Sequence, residues 1–160
     1  TIARNILLAA KEENQKSADQ LIIKAIANSL ETLFRNFPVC AIVPIPSRPS
    51  SNRLRGRDFV SEISISVARQ CGVAVLPILH HQRVVRDQSK LNIADRRENL
   101  AMALAVKSEY SGNYSGEKVV ILDDLLTTGA TLKEAKRALT KGGFQVQAAA
   151  TACVALRRRG

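Results

Sequence analysis

Four apolar residues, Val119-Val120-Ile121-Leu122, run directly into Asp123-Asp124 and then Leu125-Leu126-Thr127-Thr128-Gly129-Ala130-Thr131. An apolar run this short, closed by polar residues, reads as a strand buried on both faces. It delivers two adjacent carboxylates to its carboxyl end. The turn that follows gathers hydroxyls and backbone N–H groups at the start of a helix, which makes an anion site. Gly129 lets the backbone approach such an anion closely. The carboxylates would repel the same anion. They suit sugar hydroxyls, or a cation beside a phosphate. The ligand implied by these residues is a phosphorylated sugar. The Gly-x4-Gly-Lys-Ser/Thr nucleotide loop and the Gly-x-Gly-x-x-Gly dinucleotide fingerprint are both absent from the sequence.

The rest of the chain supplies the frame for this turn. Apolar residues Ala18, Leu21, Ile22, Ala25, Ile26 and Leu33 fall on one face of a helix over 17–34. Ser17 and Gln20 have capping-box spacing, and Pro38 marks the end. Residues 39–43 read as a buried strand, followed by a loop over 44–56. Phe59, Ile63, Val67 and Cys71 recur every four residues, giving a second helix capped by Asp58 and ended by Gly72. A strand is expected over 73–79, and a charged loop over 83–97 that enters a short helix near Ala94. A last helix over 131–139 stops at Gly142-Gly143, and the final strand lies within 144–154. Strands alternating with helices imply one α/β domain over 1–160, with a largely parallel central sheet flanked by helices. In such sheets ligands bind at the carboxyl ends of the strands.

Charge narrows the class of partner. The 160 residues carry a formal charge of +10. Ten basic residues lie between Arg48 and Arg97 against four acids, and Arg157, Arg158 and Arg159 close the chain. This balance favours anionic partners, either nucleic acid or a polyphosphate. Aromatics make up 4% and Trp is absent, which leaves little for stacking bases and favours phosphate. Cys40, Cys71 and Cys153 are far apart in apolar stretches, so structural zinc and disulfides are not expected. His80 and His81 are adjacent, which is poor spacing for a helical metal site. No apolar run approaches the roughly 20 residues of a membrane span. Lys11, Glu12 and Glu13 follow the apolar patch Ile6-Leu7-Leu8, unlike a secretion signal. A cytoplasmic location fits these features. The chain opens on Thr1 without Met, so an upstream segment is expected.

The segment 119–131 resembles the PRPP-binding signature of type I phosphoribosyltransferases, with its apolar strand, two acids and Thr/Gly phosphate loop. The wider chain resembles the competence protein ComF family within that group. That likeness runs through Val43-Pro44-Ile45-Pro46, Arg53-Leu54-Arg55-Gly56-Arg57-Asp58-Phe59, Gln88-Ser89-Lys90-Leu91 and Arg96-Arg97-Glu98-Asn99-Leu100. Two departures stand out. The N-terminal cysteine zinc module of ComF proteins is absent from this sequence. Their usual Arg-Gly-Phe-Asn run reads Arg55-Gly56-Arg57-Asp58-Phe59 here.

The resemblance implies a type I phosphoribosyltransferase fold and Mg²⁺-dependent transfer of phosphoribosyl from PRPP with release of pyrophosphate. It implies that Asp123 and Asp124 are the catalytic acids, holding the ribose 2′ and 3′ hydroxyls and helping to seat Mg²⁺ through PRPP. Thr127, Thr128, Gly129, Ala130 and Thr131 would cradle the 5-phosphate. Ser47, Arg48 and Pro49 would bind pyrophosphate. Arg55, Arg57, Arg86, Lys90 and Arg97, in a pool with Arg83 and Arg96, are candidate mobile-loop cations for the leaving group. Two alternatives stay open: a PRPP-binding regulatory protein without transfer, and an accessory protein of DNA uptake acting with single-stranded DNA or competence proteins. No residue stands out as a general base, so the acceptor is unread.

Overall fold

The computed structural model describes residues 2–39, 41–47, 52–53, 56–82, 101–110 and 116–154. The chain opens with two helices, α1 (Ile2–Glu13) and α2 (Lys16–Asn36). Then come strand β1 (Ala41–Pro44), helix α3 (Phe59–Cys71) and the short strand β2 (Ala74–Val75). A hairpin of β3 (Leu79–His81) and β4 (Leu104–Val106) precedes β5 (Lys118–Leu126), α4 (Ala130–Lys141) and β6 (Gln145–Val154). The central sheet has the order β2-β1-β5-β6. All three of its pairings are parallel. This is the α/β arrangement expected from alternating strands and helices.

Both faces of the sheet are covered, which is why β1 and β5 are apolar at successive positions. Side chains alternate across a strand. Ile42, Val120 and Leu122 therefore pack on the side of α1, α2 and α3, with Ile22, Ile26, Phe59 and Val67. Ala41, Val43, Val119 and Ile121 pack on the opposite side, with Ala135, Leu139 and Phe144. The chain leaves β1 through α3 toward β2, and leaves β5 through α4 toward β6. The strand order thus reverses between β1 and β5. That reversal opens a crevice at their carboxyl ends, where open α/β sheets take their ligands.

Local chemistry explains most element ends. Asp58 caps α3, its Oδ1 accepting the Ser61 N–H at 3.3 Å. Gly72 closes that helix in the left-handed conformation, with φ 68°. Other ends depart from expectation. The cap of α2 is Gln15 and not Ser17, because the chain reverses at Asn14 (φ 55°) and the helix begins as soon as that turn ends. The Gln15 carbonyl accepts from both Ala18 and Asp19. Helix α1 goes beyond the expectation, which held only its apolar patch. The strand expected over 73–79 is split. Pro77 has no N–H to continue the ladder, so the chain leaves β1 after the Leu76 N–H has bonded the Ile42 carbonyl at 2.9 Å. It then pairs as β3 with β4, antiparallel and in a separate sheet. Strand β5 is longer than the apolar run 119–122, because β6 pairs alongside it as far as Leu126 opposite Val154.

The hairpin is fastened to α4 by side chains that imitate a strand. Leu104 donates its N–H to Glu134 Oε1 at 3.0 Å, and its carbonyl accepts from Arg137 Nη2 at 2.8 Å. Arg137 also donates to both Glu134 oxygens at 2.8 Å. Burial alone would raise the Glu134 carboxyl, but the Arg137 hydrogen bonds, the Leu104 N–H and the guanidinium charge hold it below its ordinary value. Its contribution to stability is therefore present above its ordinary pKa and lost as pH falls through the lowered one. Glu134→Ala would strand the Leu104 N–H in a buried place. A cost of about 2 kcal/mol is expected, read as a lower thermal midpoint, with Glu134→Gln recovering much of it. An unchanged midpoint for Glu134→Ala would show that the clamp adds nothing.

Candidate functional site

The crevice at the switch point is lined by the ends of β1 and β5. Their ladder continues past β1, where the Ile45 N–H donates to the Leu122 carbonyl at 2.9 Å. The hairpin reaches the same place, since His81 Nε2 lies 3.0 Å from the Pro46 carbonyl oxygen. A carbonyl only accepts, so that bond needs the proton on Nε2. The Gln82 N–H donates to the Ala103 carbonyl, and the Gln82 side chain to the Met102 carbonyl.

Asp123 and Asp124 lie inside the paired length of β5, with Asp123 opposite Thr151 of β6. Adjacent strand residues alternate in direction, and the two carboxyls have different surroundings. Asp123 is 8% exposed, and its Oδ1 accepts the Asp124 N–H at 2.8 Å. Burial pushes its carboxyl up to about 6, while the nearby Lys11 charge opposes that rise. Asp124 reaches the α1 side, where its Oδ2 accepts a charge-assisted hydrogen bond from Lys11 Nζ. Sequence reasoning misses Lys11. It stands 113 positions from its partner, and nothing local marks it as part of a site.

The turn after β5 is built for an anion. Thr127 is exposed, and Thr128, Gly129, Ala130 and Thr131 are half-buried. Thr128 Oγ1 accepts the Ala130 N–H at 3.3 Å. Gly129 is the N-cap of α4 at φ 74°, and it offers no side-chain cap. The first intrahelical bond runs from the Lys133 N–H to the Gly129 carbonyl. The N–H groups of Thr131 and Leu132 therefore have no acceptor within their own helix. A Ser or Asp cap would compete for such donors; a glycine leaves them to a ligand. Any side chain at 129 would be strained by the positive φ, although space is available, with Leu126 Cδ1 at 3.7 Å from a built Cβ.

Two other expected residues, Ser47 and Arg57, have partners within the fold. Ser47 donates to Asp58 Oδ1 at 3.1 Å and so braces the cap of α3 from the loop after β1. Arg57 binds Asp19 at 3.0 Å, pairs with Glu62 at 2.5 Å, and donates to Asn14 at 2.9 Å. Its guanidinium lies 5.3 Å from the Phe59 ring centroid. In this arrangement its charge links α2 to α3. Arg48, Pro49, Arg55, Arg83, Arg86, Lys90, Arg96 and Arg97 lie outside the described residues, as do Cys40, Ala94 and the terminal arginines. No helix among the described residues is long and apolar enough to cross a membrane. A groove between α2 and residues 148–152 of β6 is lined by alanines and leucines with Ser29 and Thr151. It carries no charged side chain, so it lacks the chemistry of an anion site.

Known structures share this architecture. An adenine phosphoribosyltransferase superposes with a TM-score of 0.58 at 16% identity, covering 90% of this chain and 74% of that one. The Saccharomyces cerevisiae adenine phosphoribosyltransferase, solved with an imino-altritol bisphosphate and adenine, gives 0.58 at 17% identity, over 90% and 72%. The orotate phosphoribosyltransferase of Aeropyrum pernix gives 0.51 at 11% identity, over 89% and 75%. At these identities the likeness is one of fold. No curated protein matches the sequence. The family model described as "Phosphoribosyl transferase domain" matches residues 13–160, from the end of α1 through the acid pair and its Thr-rich turn, and the chain belongs to that family.

Proposed function

We propose that this protein is a phosphoribosyltransferase of the ComF type that binds PRPP with Mg²⁺ and transfers its phosphoribosyl group, releasing pyrophosphate. One observation carries the reading: an acid pair at the β1/β5 switch point is followed at once by a glycine-capped helix N-terminus with open N–H donors. The turn 127–131 would hold the 5-phosphate, and Asp123 and Asp124 the ribose diol. Carboxylate oxygens suit Mg²⁺, so Asp123 and Asp124 would stand beside a Mg²⁺ carried by PRPP without being its direct holders. When bound, Mg²⁺ supplies charge neutralisation to the leaving pyrophosphate. The protein's own groups fix the sugar, so that positive charge develops at C1 in a held geometry. Ser47, Arg48 and Pro49 follow β1 in sequence and would bind pyrophosphate. The adenine and orotate enzymes of like fold make nucleobases the first acceptors to try.

The test is calorimetric titration with PRPP and Mg²⁺, followed by pyrophosphate release with a panel of nucleobases. Saturable PRPP binding and release with one acceptor are expected. Binding without release for any acceptor would make the protein a PRPP-binding regulator. Single-stranded DNA affinity that falls steeply with salt, with no PRPP binding, would replace this reading by the DNA-uptake role.

A further inference from the structure

The chain past β1 is held from three elements at three consecutive residues. Ile45 donates its N–H to the Leu122 carbonyl of β5 at 2.9 Å. The Pro46 carbonyl oxygen lies 3.0 Å from His81 Nε2 of β3. Ser47 Oγ donates to Asp58 Oδ1, the cap of α3, at 3.1 Å. Pro44 and Pro46 stiffen the stretch, since each ring fixes its own φ and keeps the preceding residue extended. The peptide joining Pro46 to Ser47 is trans and planar, so its C=O and N–H point in opposite directions. With the oxygen turned toward His81, the Ser47 N–H is turned away from the hairpin. That N–H has no acceptor among the described residues.

His81 occupies its place at a cost. Its Nδ1 is buried and has no hydrogen-bond partner among the described residues. A buried polar atom left unpaired destabilises the fold, and an apolar side chain would avoid that loss. Leu79, two positions earlier and on the same face of β3, is apolar and buried. A ring kept beside it with one nitrogen unpaired points to a task for the other nitrogen.

We propose that His81 is a positioning residue for pyrophosphate. Its Nε2–H holds the Pro46 carbonyl and thereby sets the direction in which the Ser47 N–H is offered to an anionic oxygen. A donor fixed before the ligand arrives loses little freedom on binding. The identity of the ligand rests on the PRPP reading above; the hold of His81 on the 46–47 peptide does not.

The experiment uses the full chain, with inorganic pyrophosphate plus Mg²⁺ and ribose 5-phosphate as separate probes. Calorimetry compares the wild type, His81→Phe and His81→Gln. Phe keeps a flat ring without a donor, and Gln carries an N–H at about the reach of Nε2. His81→Leu replaces the Phe variant if that one does not fold. Roughly fivefold weaker pyrophosphate binding is expected for His81→Phe, with most of it recovered in His81→Gln. Ribose 5-phosphate, whose phosphate would sit in the turn 127–131, should bind all three alike. Wild-type pyrophosphate affinity in His81→Phe overturns the proposal. So does an equal loss for both probes, which would make His81 a part of the fold alone. The second readout needs no ligand: the Pro46 carbonyl ¹³C and Ser47 ¹⁵N shifts should move in His81→Phe and return toward wild-type values in His81→Gln. Unmoved shifts overturn the hold on the peptide. If the wild type binds neither probe while those shifts move, the PRPP reading falls with its pyrophosphate role, and the hold on the 46–47 peptide stands.

Discussion

Changing Asp123 and Asp124 together to Ala is expected to weaken PRPP binding by two orders of magnitude or more. Each carboxylate would hydrogen-bond a sugar hydroxyl, and losing a hydrogen bond to a charged group costs about 1.5–3 kcal/mol. Two such losses amount to roughly 3–6 kcal/mol, and each 1.4 kcal/mol is about tenfold in affinity. The fold should survive. The double change removes a buried acid from the strand, and Lys11, partly exposed, can turn its ammonium to water. The check is PRPP calorimetry beside far-UV circular dichroism. A well-folded double variant with wild-type affinity would remove the acid pair from the site.

Asp123→Asn alone should stabilise the free protein at neutral pH while weakening ligand binding. The Asp123 carboxyl is raised to about 6 from 3.8, first because it is buried. Between those values the native state holds more protons than the unfolded state, so stability falls as pH rises through the window. The contribution is fully present below about pH 4 and lost above about pH 6. Each tenfold weakening of the acid is worth roughly 1.4 kcal/mol, so the loss at pH 7 is on the order of 3 kcal/mol. Asn is neutral throughout and can still accept the Asp124 N–H. Its unfolding midpoint should exceed that of the wild type at pH 7 by roughly 6–10 °C and match it near pH 4. Thermal melts from pH 4 to 8 decide the matter. Parallel profiles for the two proteins would mean that Asp123 is ionised at no cost. Placing a buried acid where it destabilises the free protein is a known cost of a working site.

The two outcomes together separate function from folding. The double Ala change tests what the acids do for a ligand. The single Asn change tests what one of them costs the empty fold. A variant that melts higher and binds PRPP less well is the signature expected when a charge is kept for chemistry.

What the sequence determined by itself is the part written in contiguous residues. The run 119–131 specifies a buried strand, an acid pair and a glycine-entered helix in one short segment, because strand burial and the helix terminus are local consequences of residue type. Asp58 and Gly72 bound α3 for the same reason: a cap bonds within three residues of itself, and a left-handed stop needs only a glycine. The tertiary structure decided the rest. Pro77 left open where the chain would go next; β4, held to α4 by the Glu134–Arg137 clamp, supplied the destination. The length of β5 was set by β6 beside it, which carried the acid pair into a paired strand and gave Asp123 its burial. Arg57 reads as a loop cation until α2 brings Asp19 to it. Lys11 reads as a surface lysine until α1 packs across the sheet and sets its ammonium against Asp124. Charges act through space and not along the chain, so a pairing across 113 residues exists only once the helices have packed.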